Sequence, residues 1–112
     1  VDVVHGHSAH VFQGIEVYHG RPILYDTGDF VDDYAVDARL RNDRSFLFEL
    51  SVSQTGELSE LRLRPTEISD CLVHEASQVA AEWSRRRMRD LSSPFGTTFE
   101  LGGNDLVLDL SQ

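Results

Sequence analysis

Short apolar runs separated by polar turns make up most of the chain, and only one stretch near the C-terminus adopts helical spacing. Val1 to Val4 is an apolar run that ends at His5-Gly6-His7-Ser8, which predicts a buried strand feeding a polar loop, the kind of strand end where ligands collect. Ile15-Glu16-Val17-Tyr18 and Pro22-Ile23-Leu24-Tyr25 are β-prone and flank His19-Gly20-Arg21, the pattern of a hairpin with glycine at its turn. Asp26, Asp29, Asp32 and Asp33 then crowd an irregular acidic stretch, and Arg39 to Arg44 reads as a polar loop. A second hairpin is predicted from Ser45–Ser53 and Leu58–Leu63 around Gln54-Thr55-Gly56-Glu57, with Pro65 ending it. Cys71-Leu72-Val73 reads as a further extended piece.

Ser77 is a good N-cap for a helix over Gln78–Leu91, whose predicted inner face carries Val79, Ala80, Trp83 and Leu91. Arg87 falls on that face too, so it must snorkel or meet a carboxylate. Pro94 and Gly96 stop the helix, and Thr98–Leu101 and Leu106–Leu110 flank Gly102-Gly103-Asn104 as a last hairpin. Tyr18, Tyr25, Phe46, Phe48 and Trp83 are the predicted aromatic core. The fold class is therefore α/β, or α+β for the segment alone: β-hairpins with one principal C-terminal helix.

Size and charge narrow the function classes. At 112 residues the chain is one small domain or part of one, and its opening without methionine reads as an excised piece or a processed product. No apolar run approaches the roughly 18 to 20 residues of a membrane helix, so no membrane contact by this segment is expected. All ten basic residues are arginine and the net charge is −9, which argues against nucleic acid or an acidic membrane as a partner. Salt adaptation and GC-rich codon usage both fit such a composition. The lone cysteine, Cys71, excludes an intrachain disulfide and reads as a small buried hydrophobe.

The candidate chemistry lies in His5-Gly6-His7-Ser8-Ala9-His10, which holds three of the five histidines directly after a strand. Imidazoles on an exposed loop can converge on one divalent ion, and a solvated polar loop is the plain alternative. The aspartates lack the glycine and terminal glutamate of a calcium loop and read as a solvated acidic loop. His19 and His74 read as solvent-facing, and Arg85-Arg86-Arg87-Met88-Arg89 as a helix face paired with carboxylates.

The block from Val3-Val4-His5-Gly6-His7-Ser8-Ala9-His10 through Gln13-Gly14-Ile15-Glu16-Val17-Tyr18-His19-Gly20-Arg21 to Pro22-Ile23-Leu24-Tyr25-Asp26-Thr27-Gly28-Asp29-Phe30-Val31-Asp32-Asp33-Tyr34 resembles the CapA-type proteins. These form the poly-γ-glutamate capsule-synthesis branch of the calcineurin-like metallophosphoesterases. Ala76-Ser77, Trp83 and Pro94-Phe95-Gly96-Thr97 are similar to the family's C-terminal helix and its exit. The resemblance implies that residues 1–112 are a single C-terminal segment completing a four-layer αββα domain, with the remainder of the parent domain as its partner. It implies a dinuclear site of manganese, iron or zinc to which the last motif gives two histidines, here His7 and His10. Many relatives place that pair two positions apart, whereas Ser8 and Ala9 intervene here, so His5 with His7 is the other pairing. Asp29 is the candidate acceptor that orients a ligand histidine. The family's earlier aspartate, asparagine and histidine motifs have no counterpart here, so the segment alone is expected to be inactive even where the parent is a hydrolase of a phosphoester or glutamyl bond. A non-catalytic structural or partner-binding module and a self-contained mononuclear site of His5, His7 and His10 are the other two readings. An exposed Val1–Val4 edge predicts a homodimer of the isolated segment, or fraying of that strand.

Overall fold

The computed structural model describes residues 2–7, 11–28, 41, 43–70 and 72–111. These residues form two sheets, one α-helix and a short 3-10 helix at Ser93–Phe95, an α+β arrangement. The first sheet has the order β1-β3-β2, from β1 (Val4–His5), β2 (Ile15–Tyr18) and β3 (Arg21–Leu24). β2 and β3 are the predicted hairpin, antiparallel with Glu16 opposite Ile23 and Tyr18 opposite Arg21. β1 runs parallel to β3, with Val4 opposite Ile23 and His5 opposite Leu24. The strand predicted at Val1–Val4 therefore sits at Val4–His5, and both of its residues are exposed rather than buried; among the described residues β1 pairs only with β3.

The second sheet is built on one long central strand. β4 (Arg44–Val52) and β5 (Leu58–Ser69) form the second hairpin, and the other edge of β5 is shared by β8 (Asp105–Asp109) and β6 (Leu72–Glu75). β7 (Glu100–Gly102) pairs with β8 as the last hairpin. Pro65 does not end β5. Its carbonyl accepts from the Ala76 N–H at 3.2 Å, so its ring nitrogen faces that same edge, between the partner of β8 at Leu63 and the start of β6 pairing at Thr66. Pro65 thus sits at the junction of the β8 and β6 ladders, where the bond from Ala76 forms and its reciprocal, which would need a proline N–H, does not.

Helix α1 (Gln78–Ser92) starts where the sequence places it: the Ser77 side chain accepts from the Ala80 N–H at 3.2 Å. Such a cap contributes about 1 kcal/mol. Its buried stripe is rotated from the predicted one. Ala80, Ala81, Ser84, Met88 and Ser92 are buried, Trp83 and Leu91 are half-buried, and Val79 is 72% exposed. The rotation puts Arg87 in solvent, which removes the conflict in the predicted face. Arg86 pairs with Glu82 one turn earlier at 3.5 Å and Arg85 donates to the Asn104 carbonyl at 2.8 Å, while Met88 turns fully inward.

The core lies between the inner faces of the sheets and α1. Leu61 and Leu63 from β5, Leu106 and Leu108 from β8, and Phe46 from β4 meet Phe12, Ile15, Leu24 and Met88. Phe12 packs edge-on against Phe46 at 5.0 Å and against Trp83 at 6.2 Å between ring centres, and the Arg44 guanidinium lies 5.4 Å over the Trp83 ring. The β2–β3 sheet is tied to the end of α1 through Gly14 and Ile15. The Ile15 N–H donates to the buried Ser92 hydroxyl at 3.0 Å, and a Cβ on Gly14 would lie 2.7 Å from the Leu91 carbonyl carbon. Two of the predicted core aromatics are instead on the outside: Tyr18 is 61% and Tyr25 45% exposed. Both share the Glu16 face of the hairpin, opposite Ile15 and Leu24, because strand side chains alternate.

Candidate functional site

The described part of the histidine motif, His5 to His7, lies at the carboxyl end of β1, and the adjacent end of β3 supports it. The Gly6 N–H donates to the Leu24 carbonyl at 2.7 Å, continuing the parallel pairing past His5. The approach is so close that a Cβ on Gly6 would collide with the Tyr25 carbonyl oxygen and lie 3.0 Å from its carbon. Only glycine brings the loop that near to β3.

His5 Nε2 is 2.9 Å from the Thr27 hydroxyl. Thr27 is held in turn: its carbonyl accepts from the buried Ser45 hydroxyl at 2.7 Å, and beside it the Gly28 N–H donates to Asp26 Oδ1 at 2.8 Å. The Gln13 N–H reaches the Asp26 carbonyl at 3.0 Å, which fixes the turn to the preceding strand end. His5 also lines an open cleft of about 340 Å³ whose walls include Leu24, Phe46, Phe48 and Leu61. His7 is exposed. Of the sequence-derived candidates, the structure thus brings His5 and His7 to one strand end and gives His5 a hydroxyl partner. His10 and Asp29 lie outside the described residues, as do Asp32, Asp33 and Cys71. Among the described residues no group of three or more histidine, cysteine, aspartate or glutamate side chains is placed to hold a metal ion. His19 and His74 are exposed, His19 against the Tyr18 ring and His74 3.3 Å from the Ser69 carbonyl.

Thr27, Ser45 and Gly6 escaped the sequence reading as supports of the motif. Thr27 stands within the Asp26-Thr27-Gly28-Asp29 stretch of the family-like block, but its contact with His5 spans 22 positions and no local spacing reveals it. A second feature also comes from chain folding alone. The Tyr25 hydroxyl donates to Glu16 Oε1 at 2.5 Å and its ring stacks on Phe95 at 5.3 Å. The hydrogen bond to the Glu16 carboxylate, with smaller contributions from desolvation and the Glu16 charge, raises the phenol above its ordinary pKa of 10.0. A raised pKa contributes stability that is present below the unfolded value and is lost as pH rises through the folded one. Glu16→Gln should therefore return the Tyr25 transition toward the ordinary range in an ultraviolet pH titration. An unchanged titration would show that the carboxylate does not hold the phenol.

No helix among the described residues is long and apolar enough to cross a membrane. Residues 1–34 match the family described as bacterial capsule synthesis protein PGA_cap. A probable polyglutamine synthesis accessory protein of Mycobacterium tuberculosis, found in two strains, is 40% identical over 100 residues, which covers 86% of this chain and 26% of that protein. The PGA biosynthesis protein CapA of Bacillus subtilis is 33% identical over 76 residues, 68% of this chain and 18% of its own length. The chain thus spans about a quarter or less of the relatives it matches. The family match falls on the residues that build the β1–β3–β2 sheet and its histidine loop, and the likeness to the mycobacterial protein extends over most of the rest; the chain is a C-terminal segment of a CapA-type protein.

Proposed function

We propose that this segment serves a CapA-like accessory protein of capsule or poly-glutamate synthesis by completing its domain and donating His7 and His10 to a pair of divalent metal ions. The observation that supports the reading is the position of His5 to His7 at the end of a parallel strand, with Gly6 held against β3. His5 Nε2 meets the Thr27 hydroxyl, the kind of contact that orients a ligand ring, so His5 with His7 stands as the other pairing. The donor set suits manganese, iron or zinc, since neutral imidazole ligates all three. Asp29, close in sequence to Thr27, is the proposed acceptor that orients a ligand ring.

Two divalent ions supply Lewis-acid activation of water and neutralise charge developing at a phosphoryl or related centre. This chain's own part is to hold the imidazoles. Gly6 sets the distance of the loop from β3, and Thr27, clamped by Ser45 and the Asp26 turn, fixes the His5 ring at the edge of the loop. Two or three imidazoles leave most coordination positions to water, so the segment alone binds metal weakly and does not turn over a phosphodiester. Its edge strand, otherwise covered by the remainder of the parent, favours self-association when isolated. Calorimetry with zinc and manganese, beside a chromogenic phosphodiester assay, tests this. Weak binding without turnover is expected; sub-micromolar stoichiometric binding, or turnover abolished by His7→Ala, would replace it with a self-contained metal protein.

A further inference from the structure

The chain has 19 acidic side chains for its ten arginines, enough carboxylates for every guanidinium to find one. Outside α1 each described arginine is engaged: Arg21 with Asp2 at 3.7 Å, Arg41 with Asp43 at 2.7 Å, Arg62 with Asp105 at 2.9 Å, Arg64 with Glu49, and Arg44 over the Trp83 ring. The helix is the exception. Arg85, Arg86, Arg87 and Arg89 crowd its last two turns, and all but Arg85 are exposed. Arg85 gives a bond to the Asn104 carbonyl, and Arg86 reaches Glu82 at 3.5 Å with both side chains largely in water. Arg87 and Arg89 meet no carboxylate among the described residues, so the carboxylate pairing expected of this face is confined to Arg86. Arg85 with Arg89 and Arg86 with Arg89 are like-charge neighbours one turn apart, which weakens a helix. The helix dipole accounts for a cation in the last turn, Arg89, but not for the three before it. A guanidinium face is stable in water, so the pattern does not arise from an absent covering layer.

We propose that the outer face of α1 binds a linear polymer of carboxylates, the chemistry of poly-glutamate, through Arg86, Arg87 and Arg89. The inference deepens, and rests on, the reading that the segment serves poly-glutamate synthesis. Guanidinium groups hold carboxylates by paired, charge-assisted hydrogen bonds. Each such pair on an exposed surface is weak, and a polymer that offers many carboxylates compensates by engaging several arginines at once. The net charge of −9 repels a polyanion from the rest of the surface and confines the contact to this face.

Fluorescence anisotropy of labelled poly-glutamate with the full-length protein tests the proposal, against poly-glutamine of equal length and the triple variant Arg86→Gln, Arg87→Gln, Arg89→Gln. Glutamine keeps the helix propensity, and none of the three side chains belongs to the core, so the variant should melt with the wild type. The wild type should bind poly-glutamate and not poly-glutamine, salt should weaken the complex, and the variant should bind at least about fivefold less tightly. Equal binding by the folded variant, equal binding of poly-glutamine, insensitivity to salt, or no binding by the wild type at low salt would each overturn the arginine face. Metal content of the same preparations reports separately on the reading beneath it. Metal retained without polymer binding removes the arginine face alone, whereas the loss of both removes that reading as well.

Discussion

Gly6→Ala in the full-length protein is expected to weaken metal retention on the order of 10- to 100-fold, the range seen when the support of a ligand is disturbed. The added methyl has nowhere to go. It would meet the Tyr25 carbonyl oxygen directly, with the Tyr25 carbonyl carbon at 3.0 Å and the Leu24 carbonyl oxygen at 3.4 Å, and none of these is the end of a flexible side chain. The strand end must therefore lift from β3, which breaks the 2.7 Å bond from the Gly6 N–H to Leu24 and carries His5 and His7 with it. Forcing a methyl into such a contact costs about 1–3 kcal/mol of stability as well. Metal analysis after gel filtration, beside thermal melting, separates the two effects. Retention and melting both unchanged would show that the loop tolerates displacement and that Gly6 does not set its position.

Met88→Ala is expected to destabilise the fold by about 2–5 kcal/mol, whereas Val79→Ala should stay within about 0.5 kcal/mol. Met88 is fully buried against the sheet core, and the Ser92 hydroxyl lies 3.4 Å from its sulfur. Val79, in the first turn, is 72% exposed. For a domain of this size the first substitution corresponds to a fall in melting temperature on the order of 10 °C or more. Because single domains have only about 5–15 kcal/mol in total, Met88→Ala can leave a partly unfolded population at physiological temperature. Denaturant melts of both variants check the pair. A larger loss at Val79 than at Met88 would restore the helix face predicted from the sequence.

That contrast also shows which features the sequence reveals. The three hairpins were readable from β-prone runs around glycine-containing turns, and the helix start from Ser77. The predicted stripe differs from the buried one because serine counts as polar, yet Ser84 and Ser92 are small enough to lie under the sheet, and Ser92 also accepts from Ile15. Pro65 looked like a strand end because the sequence does not reveal that two partner strands would divide one edge of β5 and meet at Pro65. Residue type alone places Tyr18 and Tyr25 in the core, although alternation from Ile15 assigns Tyr18 to the Glu16 face. The histidine motif stood out at once by composition. Its supports did not, since Thr27, Ser45 and the Tyr25 carbonyl reach it only through the parallel pairing of β1 with β3 and the turn that follows.

The most direct measurement is the metal content of the full-length protein and of its His7→Ala variant, by elemental mass spectrometry after exchange into metal-free buffer. Two divalent ions per wild-type chain are expected, with at least one lost in His7→Ala while the melting temperature of the segment's core is retained, because His7 is exposed and outside that core. Full metal occupancy in a folded His7→Ala variant, or a wild-type protein that holds no divalent ion after loading with manganese, iron or zinc, would contradict the assignment of this loop as a ligand donor.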